Sequence, residues 1–119
     1  MAKPGNTGLR RLVNAAIFSY KGAKAAFNNE EAFRQETYLL LLVVPAAIYI
    51  ADNMSKALIL ISSYLLVLLV ELLNSAIEAT VDRISDEHHE LSGRAKDMGS
   101  AAVTLAIMIC AGVWLAIIF

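Results

Sequence analysis

The sequence predicts an all-α membrane protein, with three spans preceded by a basic surface helix, and three observations carry that reading. Hydrophobic residues make up 58% of the 119, and the mean hydropathy is +0.60, above what ordinary soluble domains carry. The charged residues gather between long apolar runs rather than spreading evenly. Ahead of the first run, apolar positions recur at helical rather than strand spacing. At this length the chain is one domain, residues 1–119. No basic tract is long or aromatic enough to suit a nucleic acid. The first 30 residues lack the sustained apolar core of a cleavable signal, so the mature chain is expected to keep them.

Residues 1–7 (MAKPGNT) have the composition of a mobile tail. Over about 8–28, Leu9, Leu12, Val13, Ala16, Ile17, Tyr20 and Phe27 fall at helical spacing, and Arg10, Arg11, Asn14, Lys21 and Lys24 take most of the remaining surface. Such a basic amphipathic helix suits the membrane interface, with its cations near lipid phosphates. Gly22 and the Asn28-Asn29 pair are places for it to bend or end. The first span covers about 32–51. Its uncharged part, Thr37 to Ala51, is 15 residues, short of the ~20 that cross a bilayer. Arg34, Gln35 and Glu36 are therefore drawn into the interface, where long side chains snorkel. Pro45 lies inside this span and is expected to kink it, as membrane helices allow.

Asp52 to Ser55 reads as a turn, with Ser55 capping a second span over 56–81. A polar loop follows at 83–97, and Ser92-Gly93 marks the break before a third span over 96–119. From Met98 to Phe119 that span has 22 residues without a charge. Ala95 with Gly99, and Ala102 with Ala106 and Cys110, are small residues four apart, which suits close helix packing. Cys110 is the single cysteine and reads as a buried packing thiol. Six basic residues (Lys3, Arg10, Arg11, Lys21, Lys24, Arg34) precede the first span, Lys56 alone follows it, and Arg83, Arg94 and Lys96 precede the third. The positive-inside tendency then puts the N-terminus and the 82–97 loop in the cytoplasm, with the 52–56 turn and the C-terminus outside.

The stretch 70–82, VELLNSAIEATVD, interrupts this apolar pattern. At about 100° per residue, Glu71, Glu78 and Asp82 fall within roughly 20° of one another, with Asn74 and Ser75 beside them. Ionisable groups at membrane depth are costly and mark functional sites. Counted from Ser55 at 1.5 Å per residue, Glu71 lies about 24 Å along the helix and Glu78 about 34 Å. Against a ~30 Å hydrocarbon core, Glu71 is just inside the cytoplasmic boundary and Glu78 just beyond it. Asp82 and Arg83 read as the helix terminus, outside the chemistry. Glu36, Asp86, Glu87 and Glu90, taken singly, read as solvated boundary charges, and His88 and His89 as exposed loop residues.

Glu30, Glu31, Glu36, Glu71, Glu78, Asp82 and Asp97, with Lys96 and Arg94, all approach one interfacial zone by this topology. Carboxylates without Cys or His at metal spacing suit a hard cation such as Mg²⁺. A lysine suits phosphate, and a spare carboxylate suits a hydroxyl, so the parts for phosphoryl transfer are present. No GxxxxGK[ST], HRD or DFG sequence occurs. The helix start His89-Glu90 lacks the second histidine of a zinc site. Spacing alone leaves two classes open: an intramembrane enzyme, or a proton- or cation-handling bundle such as a small channel or transport subunit.

The block ELLNSAIEATVDR (71–83), followed by HELSGRAKDMGSAAV (89–103), closely resembles the small bacterial integral-membrane diacylglycerol kinases, as do NEEAFRQE (29–36) and the N-terminal helix. That resemblance implies a homotrimer in the inner membrane, with a periplasmic C-terminus and active sites shared between subunits at the cytoplasmic surface. It implies transfer of phosphate from MgATP to diacylglycerol, giving phosphatidic acid. It also implies roles: Glu71 as general base on the lipid hydroxyl, Glu30 and Glu78 on the metal and ATP phosphates, Lys96 on phosphate and Asp97 on the nucleotide. Arg11, Glu87 and His89 match nucleotide contacts, Asn74 and Gln35 match active-site positions, and Ser100, with Glu71, a lipid contact. Two departures stand out: His88 replaces an expected aromatic residue and Phe18 an expected tyrosine. The rival acceptor on the same fold is a polyprenol such as undecaprenol, whose kinases differ around 92–103.

Overall fold

The computed structural model describes residues 5–119; Lys3 and the start of the expected tail lie outside the described residues. The chain runs as four helices: α1 (Gly8–Asn29), α2 (Glu31–Ile50), α3 (Met54–Ile84) and α4 (Glu90–Ile118). α2, α3 and α4 are each long and apolar enough to cross a membrane. The expected spans thus match real helices, which extend past their apolar cores into polar sequence.

A single extended residue, Glu30 (φ −114°, ψ 110°), turns α1 into α2. Arg34 holds this corner: its Nη1 donates to the carbonyl of Phe27 at 2.9 Å and to that of Asn28 at 3.3 Å. These are last-turn carbonyls of α1, which lack intrahelical donors. Arg34 therefore ties the start of α2 back onto the end of α1. Inside the corner, Ala26, Phe33 and Leu68 are buried together, with Phe27, Leu40, Tyr64 and Leu72 packed around them. α2 stays a continuous helix through Pro45.

Asn53, not Ser55, caps α3: its Oδ1 accepts from the Lys56 amide at 3.0 Å. Asn is at least as good an acceptor there, and it starts the helix at Met54, two residues earlier. α4 likewise starts before Ser92-Gly93. His89 caps it, Nδ1 accepting from the Leu91 amide at 3.1 Å, and Gly93 sits within the first turns. Ser and Gly are tolerated there because Glu90 and Arg94 pair across one turn at 3.4 Å.

α3 is the hub, packing along α4 most extensively, then α2, with α1 touching at its C-terminal end. On α4, Gly99 and Ala106 are buried against α3 and Cys110 is half-buried, whereas Ala102 is exposed. The small-residue seam therefore follows 99, 106 and 110, and Ala102 lies at its exposed edge. Polar ties cross the apolar middle of the seam: Trp114 Nε1 donates to the Leu60 carbonyl at 3.2 Å, and Ser63 Oγ meets Cys110 Sγ at 3.5 Å. Between helices in an apolar medium such bonds contribute about 0.6 kcal/mol on average. Trp114→Phe, which removes the donor without orphaning a helical carbonyl, should lower unfolding stability in mixed micelles by about 0.5–1.5 kcal/mol.

Candidate active site

The stripe at 70–82 stays helical throughout, because α3 continues to Ile84. At ~1.5 Å per residue the 31 residues of α3 are about 46 Å long, more than a ~30 Å hydrocarbon core. Each polar group on the stripe meets a different neighbour. Glu71 is 9% exposed, and its carboxyl lies within hydrogen-bonding reach of that of Glu36 on α2. Asn74, half-buried, donates from Nδ2 to Glu78 Oε1 at 3.4 Å, and its own Oδ1 is buried without a hydrogen-bond partner. Asp82 Oδ1 pairs with Lys96 Nζ at 2.7 Å, joining the polar ends of α3 and α4.

Glu36 is a correction to the sequence reading, which placed it among solvated boundary charges. It is half-buried, its Oε2 is enclosed without a partner, and it faces Glu71. The signal for it is in the sequence. Phe33, Glu36, Thr37 and Leu40 share one helical face, and Phe33 and Leu40 pack in the core. Tyr64 of α3 fixes the register by donating its hydroxyl to the Glu36 carbonyl. Asp82 stands where the sequence reading put it. It lies in the last turn of α3, as a terminus should, yet it also holds Lys96 and lines a polar cleft.

That cleft, of about 280 Å³, gathers Asp82, Glu87, His88, His89, Ser92 and Lys96 at the α3–α4 loop. It therefore unites three of the expected nucleotide contacts: Glu87, His89 and Lys96. Glu30 occupies the α1–α2 corner and is the one charged lining residue of a second cleft of about 520 Å³ between α1 and α3, whose walls include Gly22, Ala26, Ser75 and Ala79. The remaining expected residues are not drawn in. Gln35 is exposed and donates to Glu31 on its own helix at 3.2 Å. Asp97 and Ser100 are exposed on α4. Arg11 and Glu30 stand near opposite ends of one helix, about 28 Å apart at 1.5 Å rise per residue.

Among the described residues, no three His, Cys, Asp or Glu side chains form a group arranged to hold a metal ion. What the chain offers is carboxylates alone at helix ends, from Glu30 and Glu78. Such a donor set fits Mg²⁺, which takes one or two carboxylates and completes its shell with water and substrate phosphates.

Residues 17–118 match the model of the prokaryotic diacylglycerol kinase family. The diacylglycerol kinase of Escherichia coli K12 is 55% identical over 108 residues, covering 91% of this chain and 88% of the relative. Those of Haemophilus influenzae, at 49% over 95% of this chain and 96% of the relative, and of Pseudomonas aeruginosa, at 47% over 96% and 93%, are similar along nearly their whole lengths. The chain belongs to the prokaryotic diacylglycerol kinase family.

Proposed function

We propose that this chain is a membrane diacylglycerol kinase, which moves the γ-phosphate of ATP onto the free hydroxyl of diacylglycerol and releases phosphatidic acid. Its relatives carry that name over almost the full chain, which favours diacylglycerol over a polyprenol as acceptor and a kinase over a channel. The observation that carries the mechanism is the order of groups along α3. Glu71 is nearly buried, and Glu78 is half-buried two turns further toward the loop. At ~1.5 Å per residue the two are about 10 Å apart along the axis.

A lipid hydroxyl stays at the membrane boundary, whereas a nucleotide stays in water. Glu71 is the general base, taking the hydroxyl proton as its oxygen attacks the γ-phosphorus and the bond from that phosphorus to the bridging oxygen breaks, so that ADP leaves. Glu36, against the Glu71 carboxyl, keeps it oriented. Glu30 and Glu78 are the residues to hold Mg²⁺, which when bound with ATP offsets charge on the transferred phosphoryl group. Lys96, held by Asp82 at the polar end of α3, would exchange Asp82 for phosphate, while Glu87 and His89 flank the nucleotide's remainder. The apolar cleft between α1 and α3 offers the lipid's chains a way to the boundary.

What one chain lacks supports an assembly of several copies. Arg11 is too distant to share a nucleotide with Glu30 of its own chain, so it serves the site of another copy. α1, α2 and α4 leave most of their apolar surface exposed, for lipid and for neighbouring copies. A homotrimer with shared sites, lying in the inner membrane with its N-terminus and 82–97 loop cytoplasmic and its C-terminus periplasmic, satisfies both points. In it α1 lies on the membrane surface, with Arg10, Lys21 and Lys24 toward lipid phosphates.

Purified chain in mixed micelles should convert diacylglycerol with MgATP and leave undecaprenol essentially unused; the reverse preference contradicts the proposal. Glu71→Gln should lower kcat at least ~10²-fold with the apparent MgATP constant nearly unchanged. Glu78→Gln should instead raise the Mg²⁺ requirement. Glu36→Gln keeps the shape but sets an amide donor against Glu71. It engages the lone pair that must take the proton, so kcat should fall roughly tenfold at unchanged MgATP constant.

A further inference from the structure

Gly99 sits in the α3–α4 seam opposite the stripe, and it differs from the other glycines of α4. A β-carbon built on Gly93 or Gly112 meets nothing within 4 Å. One built on Gly99 overlaps Asn74 Oδ1 and lies 3.2 Å from Asn74 Cγ. We propose that Gly99 is a positioning residue for phosphotransfer, its bare Cα being the seat on which the Asn74 amide rests and from which that amide is aimed at Glu78. This deepens the reading of Glu78 as a metal ligand and rests on it.

The chemistry of the amide fixes its orientation. A carboxylate only accepts, so the Asn74 nitrogen must face Glu78, and the oxygen is turned the other way. That oxygen is buried with no hydrogen-bond partner. What it meets is Gly99, whose polarised Cα–H groups are the weak donors available to it. The helices cannot part to make room, because α3 and α4 are pinned on both sides of this contact, so it is the Asn74 amide that must rotate away. Lys96 binds Asp82 on one side, and Trp114 binds the Leu60 carbonyl on the other. Any side chain at 99 must therefore expel the amide, and Glu78 loses the donor that orients it.

The test measures lipid phosphorylation and its Mg²⁺ dependence in mixed micelles for four variants: Gly99→Ala, Asn74→Ala, the double variant and Gly112→Ala. Gly99→Ala should raise the apparent Mg²⁺ constant and lower kcat/KM at least roughly tenfold, whereas Gly112→Ala stays near the parent chain. Because Gly99 acts through Asn74, the double variant should be no worse than Asn74→Ala alone. Gly99→Ala within about twofold of the parent, or single losses that multiply in the double, overturns the proposal. Should Gly99→Ala fail to fold, the double must fold, since the overlapping amide is gone; a double that also fails overturns it. A harmless Asn74→Ala removes the role of the Asn74–Glu78 pair and this proposal together. A damaging Asn74→Ala beside a harmless Gly99→Ala removes this proposal alone.

Discussion

Everything in this protein depends on α3 being longer than the membrane is thick. A helix of 31 residues spans about 46 Å, so one end must leave a ~30 Å hydrocarbon core. Polar groups strung along that end sit at graded depths without any further device. A lipid and a nucleotide, which share no phase, can thus be met by residues of one rigid element. The other helices are arranged to serve this one. α2 and α4 cover it on two sides, and α1 joins it only at the corner where Glu30 turns the chain.

The second constraint is that polar groups near lipid need partners, since unmet ones cost several kcal/mol. Two carboxylates of the stripe find one on another helix, which fixes helix register, and Glu78 finds one on its own. Glu71 meets Glu36 of α2, Asp82 meets Lys96 of α4, and Asn74 is held between Glu78 and the bare backbone of Gly99. Deeper in the seam, Trp114 and Cys110 meet the Leu60 carbonyl and Ser63. The carboxyl pair and the unpartnered Asn74 and Glu36 oxygens are left at the one place where catalysis would need them. They are the parts of the fold least explained by stability alone.

The fold class was legible in the sequence because apolar run length and helical spacing are local signals. The helix starts were less so. Ser55 and Ser92-Gly93 are plausible punctuation, but Asn53 and His89 lie closer to the polar turns and cap first. The stripe itself could be read from period alone, and so could the order of Glu71 and Glu78 along α3. What period cannot give is which helix faces which. Glu36 therefore looked like one more boundary charge until α2 was laid against α3, and Gly99 like one more small residue in a packing seam. The distance between Arg11 and Glu30, by contrast, follows from the length of α1 alone and was already implicit in the helix expected over 8–28.

The central claim is that the stripe crosses the boundary between Glu71 and Glu78, and a depth measurement tests it most directly. With Cys110 replaced by alanine, nitroxides can be attached through Leu73→Cys and Thr80→Cys, exposed positions off the stripe at matching depths. In vesicles, power saturation should show the label at 73 relaxed mainly by oxygen and the label at 80 mainly by a water-soluble nickel chelate. Equal accessibility of both labels to the same relaxing agent would contradict the account.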